Sequence, residues 1–185
     1  MTTPPGQRVL VLGGARSGKS AAAERRLGRV TSVTYVATSG RRPDDMEWAE
    51  RVAAHRAARP THWRTVETTD LVGVLTAATE PILVDCLTLW LAAVMDEADA
   101  WNDESWYRSA ARTQVAERID ALVDSWAATT VPLVGVSNET GLGVVPDTAS
   151  GRRFRDELGW LNQRVAAVSD EVVLVVAGRE LRLPP

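Results

Sequence analysis

The chain has 185 residues, a net charge of −3, and 45% hydrophobic against 24% charged residues, the balance of a globular enzyme able to bury a full core in a single domain over 1–185. The acidic balance gives no electrostatic basis for nucleic-acid binding, and no apolar run approaches the roughly 20 residues that cross a bilayer as a helix. The lone cysteine, Cys86, rules out an intrachain disulfide and makes the cytoplasm the expected compartment.

In chain order, a strand at 8–12 (RVLVL) runs directly into Gly13-x-x-x-x-Gly18-Lys19-Ser20 and a helix at 19–28. This is the Walker A pattern. Its glycines permit a tight backbone curl, so that N–H groups along Gly13, Gly14, Ala15, Arg16, Ser17 and Gly18 wrap a polyphosphate. Lys19, the only lysine of the chain, reaches the β- and γ-phosphates, and the Ser20 hydroxyl ligates Mg²⁺. The helix start adds its positive dipole end beneath the phosphates. A glycine-rich turn without a ligand leaves Lys19 and Ser20 unexplained.

A strand at 33–37 (VTYVA) comes next, then a polar stretch at 39–45 expected as a flexible loop. A helix over 44–58 ends before Pro60 and carries Trp48, Val52 and His55 on one face; an isolated histidine there is more often packed or exposed than catalytic. Strands at 63–66 and 81–85 flank a helix at 70–78. Asp85 closes the apolar strand ILVD, where a carboxylate either organises Mg²⁺ beside the phosphate loop or caps the helix at 87–97. Residues 98–104 are expected as a loop, and 105–128 as one long helix with Ser105 at its N-cap and Val115, Ile119, Leu122, Val123 and Trp126 on its apolar stripe. A strand at 131–137 leads into Ser137-Asn138-Glu139, polar residues at the strand's carboxyl end, where ligands bind in open α/β sheets. A turn with helix caps explains them equally. A helix at 150–168 and strands at 171–176 and 180–183 follow, the last two joined by Ala177-Gly178 as a hairpin.

This alternation predicts an α/β fold of the RecA-like P-loop NTPase type: a mostly parallel sheet flanked by helices, ending in an antiparallel hairpin. The continuously apolar runs at 9–12, 82–84 and 172–176 suit strands covered on both faces. Trp90, Trp101 and Trp106 lie close in sequence; core or interface packing accounts for them more readily than a ligand face.

Taken together, GGARSGKS (13–20), YVATS (35–39), the acidic pair at 45 and 47 with RVxxHRxxRP (51–60), WRTVE (63–67), LVDCLTLWL (83–91), VSNExGLGVVP (136–146) and the stretch 154–178 resemble the bifunctional adenosylcobinamide kinase / adenosylcobinamide-phosphate guanylyltransferase family, in order and across nearly the whole chain. The resemblance implies two reactions. A nucleoside triphosphate, ATP or GTP, phosphorylates the hydroxyl of adenosylcobinamide; GTP then donates GMP to that phosphate by way of a guanylylated histidine, and His55 is the matching position. It also implies that Thr38, Ser39, Arg56, Arg59 and Glu67 surround the guanine nucleotide, that Ser20 and Asp85 hold Mg²⁺, and that the protein is a homotrimer. Trp48, the basic run 40–43 and Thr140 depart from the family pattern without removing a group the chemistry needs. The competing readings are a P-loop kinase of another small alcohol with a structural His55, and a GTP-binding switch without group transfer.

Overall fold

The computed structural model describes residues 6–39, 46, 50, 53, 60–108 and 110–185. Among them, seven strands form one sheet: β1 (Arg8–Gly13), β2 (Thr34–Ala37), β3 (Arg64–Glu67), β4 (Ile82–Asp85), β5 (Leu133–Asn138), β6 (Glu171–Val176) and β7 (Arg179–Leu183). Their order is β3-β2-β4-β5-β1-β6-β7. Every neighbouring pair is parallel except β6 and β7. The described helices are α1 (Lys19–Leu27), α2 (Leu71–Thr76), α3 (Leu87–Glu97), α4 (Asp103–Arg108), α5 (Ala111–Ala128) and α6 (Ala149–Ala167).

Alternation along the strands divides the core into two layers. Leu10, Leu12, Val36, Ile82, Val84 and Leu133 point toward the apolar faces of α2, α3, α4, α5 and α6. Val9, Val11, Tyr35, Leu83, Val134 and Val136 point the other way, against Ala22, Ala23 and Leu27 of α1. The runs in β1 and β4 are therefore apolar because both of their faces are covered. β6 differs: Val173 and Val175 are buried, whereas Val176 is exposed. Only β7 separates β6 from the sheet edge, so its apolar sequence overstates its burial.

The expected hairpin is present. Ala177 and Gly178 both have positive φ, 50° and 76°, the backbone that a two-residue turn needs to follow the twist of its strands. Two expectations are corrected. The stretch 105–128 is two helices, α4 and α5, and Ser105 lies inside α4. The Asn102 side chain accepts from the amides of Glu104 and Ser105 and so caps α4. Residues 98–104 form a pinned segment: Ala100 is fully buried, and its carbonyl accepts from the buried Arg153, whose guanidinium also pairs with Asp103 and stacks over Trp106. The helix expected over 44–58 lies outside the described residues apart from 46, 50 and 53, and the loop expected over 39–45 apart from Ser39.

The three tryptophans grouped in sequence, Trp90, Trp101 and Trp106, pack inward, whereas Trp160 is exposed. Trp90 is buried and donates to the Thr69 carbonyl at 2.9 Å. Trp106 is buried under Arg153, and the part-buried Trp101 sits 5.6 Å from the Phe154 ring.

Candidate active site

The phosphate loop owes its shape to close approaches that only small residues tolerate. A Cβ on Gly13 would stand 2.5 Å from Ser17 Oγ and 2.7 Å from the Val175 carbonyl oxygen. Gly18 has a φ of +93°, and a Cβ there would lie 3.2 Å from Gly178 Cα. Arg16 also takes a left-handed conformation, with φ 56°. The loop is closed by the Ser17 amide donating to the Gly14 carbonyl, and by the Gly178 amide donating to the Ser17 carbonyl at 2.8 Å. The tip of the β6–β7 hairpin is thus bonded to the loop. Ser17 Oγ is buried and has no hydrogen-bond partner among the described residues.

Helix α1 begins at Lys19 with Gly18 as its N-cap, no side chain caps it, and its first turn carries no acidic residue. Its opening amides therefore retain the capacity to bind an anion. Gly14, Ala15 and Arg16 are exposed, and Lys19 and Ser20 partly buried. Lys19 Nζ folds back onto the Gly14 carbonyl at 3.2 Å. Burial lowers its pKa from the usual lysine value, while Cys86 and Asp85 act in the opposite sense. The ammonium thus shares an electrostatic neighbourhood with the end of β4.

The remaining candidates among the described residues line up along the carboxyl edge of the sheet. Glu67 ends β3 opposite Ala37, Ala37 stands opposite Asp85, and Asp85 stands opposite Val136 on β5, whose terminal Asn138 stands opposite Gly13. Asp85 accepts a 2.6 Å hydrogen bond from the Tyr35 hydroxyl. The N-cap of α3 is Cys86, not Asp85, so the carboxylate is not spent as a helix cap. Burial pushes the Cys86 thiol up to about 11; at neutral pH it is a buried thiol and no nucleophile.

Thr38 is fully buried. Its hydroxyl donates to the Cys86 carbonyl at 2.6 Å and accepts from the Cys86 amide at 3.0 Å. Its side chain thus ties the end of β2 to the turn after β4. Ser39 is partly buried and Glu67 exposed. His55, Arg56 and Arg59 lie outside the described residues; His62 is exposed.

The Ser137-Asn138-Glu139 end of β5 is held by backbone and side chain together. The Asn138 amide donates to Thr88 Oγ1 at 2.8 Å, and its carbonyl accepts from Asn162 Nδ2 at 3.0 Å. The Glu139 amide donates to the Gly13 carbonyl, and its carboxylate accepts from the Gly141 amide at 2.7 Å. Glutamate 139 thus shapes a turn directly beside the phosphate loop.

Tyr35 and Thr88 support the site without standing out in the sequence, and Gly178 stood out there only as a hairpin turn. Tyr35 offered one clue: a tyrosine inside an apolar strand requires a polar partner for its hydroxyl.

The donors at this edge are oxygens, the Ser20 hydroxyl and the Asp85 carboxylate, on α1 and β4, which pack together. That set fits Mg²⁺, a hard cation held by one or two protein oxygens together with phosphates and water.

Comparison with known proteins agrees with this geometry. A family model described as CobU, cobinamide kinase / cobinamide phosphate guanyltransferase, matches residues 9–183. The bifunctional adenosylcobalamin biosynthesis protein CobU of Salmonella typhimurium (strain LT2) is 40% identical over 175 residues, covering 92% of this chain and 96% of its own. The protein of the same name from Escherichia coli (strain K12) is 38% identical with the same coverage. The bifunctional adenosylcobalamin biosynthesis protein CobP of Pseudomonas aeruginosa is 40% identical over 183 residues, covering 95% of this chain and 96% of its own. Among solved structures, a prototypical ATPase from the type III secretion system of pathogenic bacteria overlays with a TM-score of 0.59 at 13% identity. That overlay spans 92% of this chain and 51% of the ATPase, a likeness of fold.

Proposed function

The chain belongs to the cobinamide kinase / cobinamide phosphate guanyltransferase family, and from that membership we propose how its residues divide the two reactions. The protein is a bifunctional enzyme of cobalamin biosynthesis, a kinase and a nucleotidyltransferase. In the kinase step the substrate hydroxyl oxygen of adenosylcobinamide attacks the γ-phosphorus of ATP or GTP. The β–γ bridging oxygen departs with the nucleoside diphosphate, and the hydroxyl proton is released. The loop from Gly13 to Ser20 cradles the triphosphate, Lys19 leaves the Gly14 carbonyl for the β- and γ-phosphate oxygens, and the start of α1 faces the developing charge. Ser20 and Asp85 would hold Mg²⁺, which when bound neutralises phosphate charge and helps align the displaced groups.

In the second step a neutral His55 imidazole attacks the α-phosphorus of GTP and expels pyrophosphate. Imidazole in its neutral form carries a nitrogen lone pair able to act as the nucleophile. The phosphate of adenosylcobinamide phosphate then attacks the resulting phosphoramidate, forms the pyrophosphate bridge of adenosylcobinamide-GDP, and releases the histidine. Ser39, Arg56, Arg59 and Glu67 contact the guanine nucleotide in this reading, with Glu67 suited to the N1–H and N2–H₂ donors of guanine. Thr38, its hydroxyl engaged by Cys86, contributes by fixing the edge on which they stand. We further infer a cytoplasmic homotrimer.

The observation that carries the proposal is the phosphate loop with its uncapped helix start, where Lys19 is bonded to a loop carbonyl and lies within the electrostatic reach of Asp85. The test is incubation with GTP labelled at the α-phosphate, followed by denaturation in alkali. Wild type should retain alkali-stable, acid-labile label; His55→Ala should take up none yet still transfer γ-phosphate to adenosylcobinamide; Lys19→Ala should lose both reactions by at least about a hundredfold. Absence of covalent label on the wild type overturns the histidine route.

A further inference from the structure

Tyr35 lies in the middle of β2, fully buried in the layer beneath α1. Its register partner on β4 is Leu83, two residues before Asp85, so the two side chains project from the same face of the sheet. Its hydroxyl reaches past Leu83 to Asp85 Oδ2, at 2.6 Å. A buried tyrosine needs a partner for its O–H, and backbone or solvent usually supplies one. Here the partner is the carboxylate at the phosphate edge, which also shifts the electrostatics of Lys19.

We propose that Tyr35 is a positioning residue for the metal-bound nucleotide: its hydroxyl fixes the Asp85 carboxylate so that the oxygen it does not engage serves the cation. A carboxylate on an unrestrained side chain sweeps about its χ2, where the torsional preference is broad. A charge-assisted hydrogen bond to one oxygen removes that freedom before the metal arrives. The inference rests on the reading of Asp85 as the carboxylate that serves Mg²⁺, and phenylalanine would fill the same space without holding it.

The test measures affinity for a fluorescent GTP analogue as Mg²⁺ is titrated, and again in EDTA, for wild type, Tyr35→Phe, Asp85→Asn and the double variant. Tyr35→Phe should bind the analogue in EDTA as wild type does, which also verifies the fold. Its half-saturating Mg²⁺ should rise about three- to tenfold, because the Asp85 side chain must then be ordered as the cation binds. In the Asp85→Asn background the same change should have no further effect, since the hydroxyl acts through that carboxylate. A Tyr35→Phe variant with wild-type Mg²⁺ dependence overturns the proposal if Asp85→Asn raises the requirement. If Asp85→Asn leaves it unchanged, the metal role of Asp85 falls first and the proposal falls with it. Additive effects in the double variant, or weakened binding in EDTA, mark Tyr35 as a packing residue and overturn the proposal as well.

Discussion

At the fully buried Thr38 a single hydroxyl serves as both donor and acceptor to the backbone of Cys86. Thr38→Val keeps the shape and strands a buried amide and carbonyl, which costs about 1–3 kcal/mol. For a chain of this size that corresponds to a melting midpoint lower by roughly 2–12 °C, measurable by thermal denaturation followed by circular dichroism. A contact role for Thr38 makes the opposite prediction: weaker GTP binding at an unchanged midpoint. The phosphate-loop residues were legible in the sequence because their function is written in consecutive positions. The Thr38–Cys86 and Tyr35–Asp85 pairs were not, because their members are 48 and 50 residues apart and meet only after β2 and β4 have paired. His55 shows the converse: the residues around it resolve nothing by themselves, and the role proposed for it rests on the combination of motifs along the whole chain.

At the scale of elements, strands were read more securely than helix boundaries. A run such as ILVD declares a covered strand, whereas the break between α4 and α5 has no local marker: the N-cap of α5 is Ala110, which makes no capping hydrogen bond. The charged turn of α4 and the apolar stripe of α5 merge into one periodic pattern in the sequence. Likewise the polar composition of 98–104 suggested a loose loop, since the arginine that pins it, Arg153, arrives from α6. The docking of α5 on the sheet yields a sharp test. A Cβ on Gly135 of β5 would lie 2.3 Å from Trp126 Cη2, and Trp126 is itself fully buried, its indole N–H bonded to Ser169 Oγ at 3.1 Å. Gly135→Ala should therefore destabilise the fold by about 1–3 kcal/mol through overpacking, seen as a lower urea midpoint at an unchanged slope. An unaltered midpoint would show that the helix shifts at no cost.

At the scale of the whole molecule, the sheet separates stability from chemistry. Its amino edge carries fixed ion pairs: Arg8 grips Asp170 through two nitrogens, and Glu80 takes hydrogen bonds from Ser32, Thr34 and Arg64 that hold its pKa down. Its carboxyl edge carries the exposed phosphate loop and the ends of β3, β4 and β5. Beyond that edge, Leu142, Val144 and Val145 stand exposed, apolar surface of the kind subunit contacts cover. The inferred trimer predicts a light-scattering mass of about 60 kDa, three times the 20.1 kDa of one chain, for a complex of closed symmetry. A mass near that of a single chain at micromolar concentration removes the trimer and leaves the site chemistry untouched.

The strand that delivers the phosphate loop is flanked by β5 and β6, and the loop's outer wall is the turn at Gly178. During synthesis on the ribosome, β1 and the loop emerge before both neighbouring strands and that turn, which lie far downstream of them in the chain. The loop is thus made well before it can be completed, because its shape awaits two strands and a turn that the ribosome adds later.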